Sequence, residues 1–192
     1  MLGLALIHNF FSTIGREYEI SILSTLTNEA IRKVHTISIE WGVFMDSDYK
    51  SKVKINFING DVKIEVSNGK ETFSFISGLG FIALPHFFDT LTKLYNGDIK
   101  REKLFCHGNG EFYNFITDGI NLTIEHVDDY DTALYYFNIK KYMEAVDIGF
   151  TDYLNKYEQK GKIVPPIEKD QFHPLNEEVL NYFYKFSALI NG

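Results

Sequence analysis

The only cysteine of the 192-residue chain, Cys106, stands beside His107 and is its one candidate thiol nucleophile. A nearby imidazole can activate a thiol by removing its proton. Adjacent residues of a strand point to opposite faces, however, so we do not expect these two side chains to share a proton. A thiol on an apolar strand is typical of a protein core. We therefore interpret Cys106 as a core residue, and a base from elsewhere in the chain remains the alternative.

Acidic residues around one histidine form the densest polar group of the sequence. Its members are Glu125, His126, Asp128, Asp129 and Asp131. Imidazole and carboxylate groups bind several divalent cations. The spacing nevertheless lacks the central glycine and the distant glutamate of a calcium loop. We predict a charged turn between two strands here, and no metal site.

Motifs for cofactor chemistry are incomplete. The segments 78–80 and 108–110 each contain two glycines, but neither extends to a dinucleotide fingerprint or precedes a Lys-Ser/Thr pair. The six histidines form no His-x-His or His-Glu-x-x-His pair. No Gly-x-Ser-x-Gly elbow occurs. We therefore predict no cofactor and assign no catalytic residue.

The elements that would position these residues begin with a meander. The segments 52–57, 61–66 and 72–76 alternate apolar and polar residues, which is typical of strands with one face in water. Asn59-Gly60 and Asn68-Gly69 lie between them. This dipeptide favours a type I′ turn, in which both central residues have positive φ.

A second group of strands is predicted at 103–106, 112–117, 122–127 and 133–139, with Asp118-Gly119 as a tight turn between the middle two. A further strand is predicted at 36–43. Apolar residues at helical spacing, together with capping residues, predict helices at 28–34, from about residue 84 to Gly97, at 140–158 and at 176–190.

This order of elements predicts one α+β domain over 1–192, with a mostly antiparallel, hairpin-rich sheet packed against amphipathic helices. The simplest arrangement is one continuous sheet with helices on one face. Segments 34–97 and 103–158 both read as strands followed by a helix. They could be degenerate halves of a duplication, although no residue-level similarity between them supports it.

The net charge of the chain indicates which kinds of molecule it can bind. The formal charge is −7 and no basic stripe is present, so we do not expect nucleic-acid binding. The field should attract a cationic partner instead. The apolar opening 1–7 is too short to span a membrane and lacks the basic start of a signal peptide. We expect a cytoplasmic protein that does not contact membranes.

The segment His8-Asn9-Phe10-Phe11-Ser12-Thr13-Ile14 resembles the opening of a group of bacterial immunity proteins from polymorphic toxin systems. The resemblance implies a small cytoplasmic protein that binds a cognate toxin and masks its active site, without catalytic residues of its own. Toxin domains of this kind are often basic nucleases. An acidic inhibitor would associate with them rapidly.

The leading hypothesis is therefore a non-enzymatic protein-binding module with a basic toxin as its partner. The acidic, aromatic loops are its candidate contact residues: Asp46, Asp48, Tyr49, Asp128, Asp129, Tyr130 and Asp131. One alternative is a small-ligand domain with a pocket between sheet and helices. Another is an enzyme that uses Cys106 or the cluster at 125–131. The identity of the toxin and the oligomeric state are left open.

Overall fold

The computed structural model describes residues 49–108, 110–128, 131–166 and 170–192. The elements in chain order are β1 (Lys50–Ile55), β2 (Val62–Ser67), β3 (Thr72–Ser77), α1 (Gly80–Asn96), β4 (Arg101–Phe105), β5 (Phe112–Thr117), β6 (Asn121–Val127), β7 (Thr132–Asn138), α2 (Ile139–Gln159) and α3 (Glu177–Asn191). The predicted α+β class is confirmed.

The described residues all belong to one compact unit. The predicted helix 28–34, the predicted strand 36–43 and the motif 8–14 lie outside them. A single domain over 1–192 therefore stays a prediction.

The strands form two antiparallel sheets, with β1-β2-β3 in one and β4-β5-β6-β7 in the other. We expected one continuous sheet, and this expectation is wrong. After β3 the chain turns into α1 at Leu79, which has a left-handed φ of 48°. Between the described strands of the two sheets, the backbones pair in the isolated bridge of Gly78 with His107. A Cβ at Gly78 would lie 2.6 Å from the His107 oxygen, so this close approach requires glycine.

The hairpins occur where the sequence predicts them, but their turns are not type I′. Four residues, 68–71, separate the paired ends of β2 and β3. Gly69 has a φ of 81°, whereas Asn68 does not have the positive φ that a type I′ turn requires. The Asn68 side-chain oxygen instead accepts hydrogen bonds from the backbone N–H groups of Lys70 and Glu71, at 3.0 and 2.8 Å. Side-chain bonding of this kind stabilises a longer turn.

The helices meet in an aromatic core. The apolar stripe predicted for α1 is fully buried: Leu84, Phe87, Phe88, Leu91 and Leu94. The Phe88 ring centroid lies 5.1 Å from that of Phe150 in α2, and 5.4 and 5.3 Å from those of Phe183 and Phe186 in α3. These separations are typical of favourable ring pairs. One aromatic side chain of α1 therefore joins the three helices.

Helix α2 packs closely on the first sheet. A Cβ at Gly149 would lie 2.6 Å from Ser51 Oγ in β1, so the absence of a side chain sets the separation of helix and strand. Both later helices begin at an asparagine cap. The Asn138 side chain accepts from Lys141 N at 3.0 Å, and the Asn176 side chain accepts from Val179 N at 2.9 Å.

Side chains link β3, and the turn that precedes it, to the second sheet. The Tyr113 hydroxyl of β5 accepts a hydrogen bond from Ile76 N and donates one to Ser74 O, both on β3. At the far end of the second sheet, Asn68 Nδ2 donates to the carbonyl oxygen of Tyr136 at 3.2 Å. The Glu71 carboxylate accepts from Tyr136 N at 2.6 Å. Backbone groups that lack a strand partner are thereby satisfied.

Candidate protein-interaction surface

Cys106 lies on the inner face of the second sheet and is 4% exposed. Burial raises the pKa of its thiol from an ordinary value of 9.0 to about 11. A thiol in this environment stays protonated near neutral pH and is a poor nucleophile. The position agrees with the interpretation of Cys106 as a core residue.

The structure divides the predicted acidic cluster between the two faces of the sheet. His126 points inward, with Nε2 3.0 Å from Glu111 Oε2 and its ring centroid 4.7 Å from that of Tyr113. Glu125 points outward and accepts hydrogen bonds from Arg101 at 3.1 Å and from Asn114 at 2.9 Å. The described part of the chain brings no three metal-ligating side chains together.

Sequence reasoning missed the pairing of His126 with Glu111. The two residues meet because β5 pairs with β6, which places Tyr113 opposite His126. Glu111 precedes β5 directly and reaches the same end of the sheet. Only the strand register could have indicated this contact, since fifteen positions separate the two residues.

The acidic turn predicted between two strands joins β6 to β7. Asp128 Oδ1 accepts from Asp131 N at 2.7 Å, and Asp131 Oδ1 accepts from Thr132 N at 2.7 Å. Both aspartates are exposed. Asp129 and Tyr130 lie outside the described residues. Each described carboxylate uses one oxygen to hold the turn, and its charge remains at the surface.

The other predicted loop has a different role where the structure describes it. Tyr49 is half-buried, and its hydroxyl accepts a hydrogen bond from Asn138 N at 2.9 Å. Its ring makes an edge contact with Phe137, at 6.2 Å between centroids. Tyr49 therefore supports the start of α2 and is not a freely exposed loop residue. Asp46 and Asp48 lie outside the described residues.

A surface that sequence reasoning did not single out lies on the second sheet. Alternate side chains of β4 to β7 point away from the core and form what we call the outer face. Its central members are Phe105, Phe112, Asn114, Glu125, Leu134 and Tyr136. Phe105, Leu134 and Tyr136 expose 56%, 47% and 54% of their surface. Exposed apolar and aromatic side chains on one face are typical of interaction sites.

Cationic groups lie among these rings. Lys103 Nζ is 3.4 Å from the ring centroid of Phe112 and 4.8 Å from that of Phe105, within the range of a cation–π contact. Arg101 is held by Glu125. Aromatic residues and arginine are enriched at the energetic centres of interfaces.

The outer face and the acidic turn are continuous. Val127 and Thr132, which flank the turn, pair with each other, and Val127 pairs with Phe112. The aromatic row at this end of the sheet therefore runs directly to Asp128 and Asp131. The alternation of β7 could have placed Leu134 and Tyr136 together on one face. It could not show which face of the sheet the helices cover.

Comparison with known proteins finds no matching family model, no matching curated protein and no matching solved structure. Among the described residues, no helix has the length and apolar character needed to cross a membrane.

Proposed function

We propose that this chain is a protein-binding module, specifically an immunity protein that neutralises a cognate toxin by masking its active site. The observation that carries the proposal is the outer face, where Phe105, Leu134 and Tyr136 present apolar surface beside an acidic turn. Burying such side chains against a partner supplies the favourable free energy of association. The N-terminal resemblance to immunity proteins supports the same class.

The expected partner is a toxin domain with a basic surface. The chain carries a net charge of −7, and Asp128 and Asp131 place two charges beside the apolar row. A cationic toxin would be attracted over several ångströms before the apolar groups make contact. The active site of a nuclease is built to attract negatively charged phosphate. The acidic turn of this chain would therefore complement such a site.

The test begins with the gene neighbourhood. A toxin encoded beside this chain should arrest growth when expressed alone, and coexpression of this chain should restore growth. The purified pair should form a stable complex. Survival of the toxin's activity in the presence of excess protein would refute the proposal.

Variants then locate the interface. Phe105→Ser and Leu134→Ser should each weaken toxin binding about fivefold or more, since a central apolar residue of an interface contributes over about 1 kcal/mol. Ile148→Ser is the matched control, because Ile148 is 63% exposed on α2 and does not belong to the outer face. Equal affinities for all three variants would remove the outer face from the interface.

A further inference from the structure

A cleft between α1 and α3 lies apart from the outer face. It is an open cleft of about 370 Å³, lined by Phe81, Ile82, Pro85, His86, Asp89, Glu178 and Tyr182. Binding pockets for whole small molecules span roughly 300–1,000 Å³. This cleft is at the lower limit of that range, so its size suits one side chain better than a large ligand.

The lining combines apolar and aromatic side chains with polar ones, among them a carboxylate on each helix. Ile82 is 43% exposed, and the Phe81 ring packs edge-on against Phe172 at 5.2 Å between centroids. Phe81 and Tyr182 therefore provide rigid aromatic surface on the two helices.

The two carboxylates differ in their partners. Asp89 on α1 pairs with Lys93 at 2.6 Å. The carboxylate of Glu178 on α3 forms no ion pair or hydrogen bond with another described residue, although it lines the cleft. A negative charge beside aromatic rings favours a cation in the space between them.

Tyr182 already attracts a cation of the chain itself. Lys185 Nζ lies 5.9 Å from the Tyr182 ring centroid, near the outer limit of a cation–π contact. Lys185 lines the neighbouring hollow and not this cleft. Glu178 and Tyr182 line both spaces, but among the described residues no lysine or arginine lines the cleft itself, so a cation from outside the chain can enter it.

We infer that the cleft receives an arginine side chain projecting from a basic protein partner. The planar guanidinium can lie against Tyr182 or Phe81 while it donates hydrogen bonds to Glu178. This inference rests on the proposed function, because it supplies a second, charged anchor for the same cationic toxin. The shared charge complementarity is the reason to prefer a protein side chain as the occupant.

The test uses the isolated protein and a capped Gly-Arg-Gly tripeptide, observed by NMR. The Ile82 methyl and Tyr182 ring resonances should shift saturably, and added salt should weaken the binding. A Gly-citrulline-Gly tripeptide has the same shape without the charge and should cause no saturable shift. Equal binding of both peptides would overturn the inference.

Glu178→Gln should weaken binding of the arginine peptide about threefold or more, which is the size of one surface cation contact. Glu158→Gln is the matched control, since it removes the same charge from an exposed position on α2 that does not line the cleft. Equal weakening by the two variants would indicate general attraction to an acidic surface and refute the site.

The two proposals can fail separately. Saturable peptide binding at the cleft, together with a toxin that the protein does not neutralise, would preserve the site and reject the immunity function. A neutralised toxin whose affinity is unaffected by Glu178→Gln, with no peptide shift at Ile82, would preserve the function and reject the site.

Discussion

The hydroxyl of Tyr113 in β5 donates a hydrogen bond to the carbonyl oxygen of Ser74 in β3, at 3.3 Å. The same oxygen accepts from Ile76 N at 3.3 Å. One buried phenol thus occupies two backbone groups on the side of β3 that pairs with no other described strand. The Tyr113 ring also packs against Phe73 and Phe75 of β3, at 5.1 and 5.6 Å between centroids. The junction of the two sheets depends on this side chain.

Tyr113→Phe should therefore destabilise the protein by about 1–3 kcal/mol, because it leaves a buried N–H and a buried carbonyl without their partner. Urea denaturation measures the change in free energy of unfolding. Tyr136→Phe is the control, since Tyr136 is 54% exposed and its loss of a hydroxyl should change stability by less than about 0.5 kcal/mol. Similar values for both variants would contradict the role given to Tyr113.

Because the thiol of Cys106 is buried, we expect the free energy of unfolding to fall at alkaline pH. Burial raises its pKa from 9.0 to about 11, so the folded protein holds this proton more tightly than the unfolded chain does. The resulting stabilisation is complete below pH 9 and is lost as the pH rises from 9 towards 11, by at most about 1.4 kcal/mol per pH unit.

Unfolding free energies measured in steps from pH 8 to pH 11 test this dependence. Cys106→Ala should show a shallower decline than the natural sequence. Burial, together with contact with the Cys106 thiol, raises the pKa of Tyr113, so the variant also loses part of that contribution. Labelling of Cys106 by a thiol reagent at pH 8 should be slow in the folded protein and rapid in denaturant. If the free energies of unfolding of the two proteins decline in parallel, the thiol is not the source of the pH dependence.

The substitution Gly149→Ala has two opposing effects on the stability of the protein. Alanine favours the interior of a helix by about 1 kcal/mol over glycine. Its Cβ would, however, lie 2.6 Å from Ser51 Oγ and 2.7 Å from Ser51 Cβ, and overpacking of this kind costs about 1–3 kcal/mol. We expect net destabilisation, measured by thermal or urea unfolding.

As a control, Asn155→Ala, at an exposed position of α2, should be neutral or slightly stabilising. A more stable Gly149→Ala variant would show that helix and strand can separate at little cost.

The acidic turn should affect the rate of association with a basic toxin. Asp128→Asn combined with Asp131→Asn keeps the side-chain oxygens that hold the turn and removes two charges. We expect the association rate constant to fall about two- to fivefold at low salt, and the difference to shrink at high salt. Stopped-flow mixing measures both.

A charge-matched control for the turn is Asp152→Asn with Glu158→Gln, since both residues are exposed on α2. This pair should change the rate less than the turn variant does. Equal effects would mean that net charge alone guides the encounter and that the turn holds no special position.

Much of the fold follows from local pattern. Alternation at 52–57 and 61–66 predicted β1 and β2, because a strand with one buried face must alternate. The helical spacing of Leu84, Phe87 and Leu91 predicted the buried stripe of α1 for the same kind of reason. These features depend on a few neighbouring residues, and the structure confirms them.

The predictions that are wrong, and the features that sequence reasoning missed, depend on contacts between residues that are far apart in the sequence. Nothing local to Gly78 indicates that the sheet divides there, because the division depends on where His107 arrives. The turns at Asn59, Asn68 and Asp118 follow side-chain hydrogen bonds and loop length, which a dipeptide rule does not include. The outer face was missed because alternation separates two faces without telling which one the core occupies.

The contacts of Tyr136 with the turn between β2 and β3 bear on how another chain could attach. An incoming strand would need the N–H and carbonyl groups on the side of β7 that pairs with no other described strand, and the Asn68 and Glu71 side chains already occupy those of Tyr136. Lengthening of this sheet by a foreign strand, which is a common route to fibrils, is thereby blocked at this point. At Tyr136, another chain can therefore contact this sheet through side chains and not through a backbone ladder.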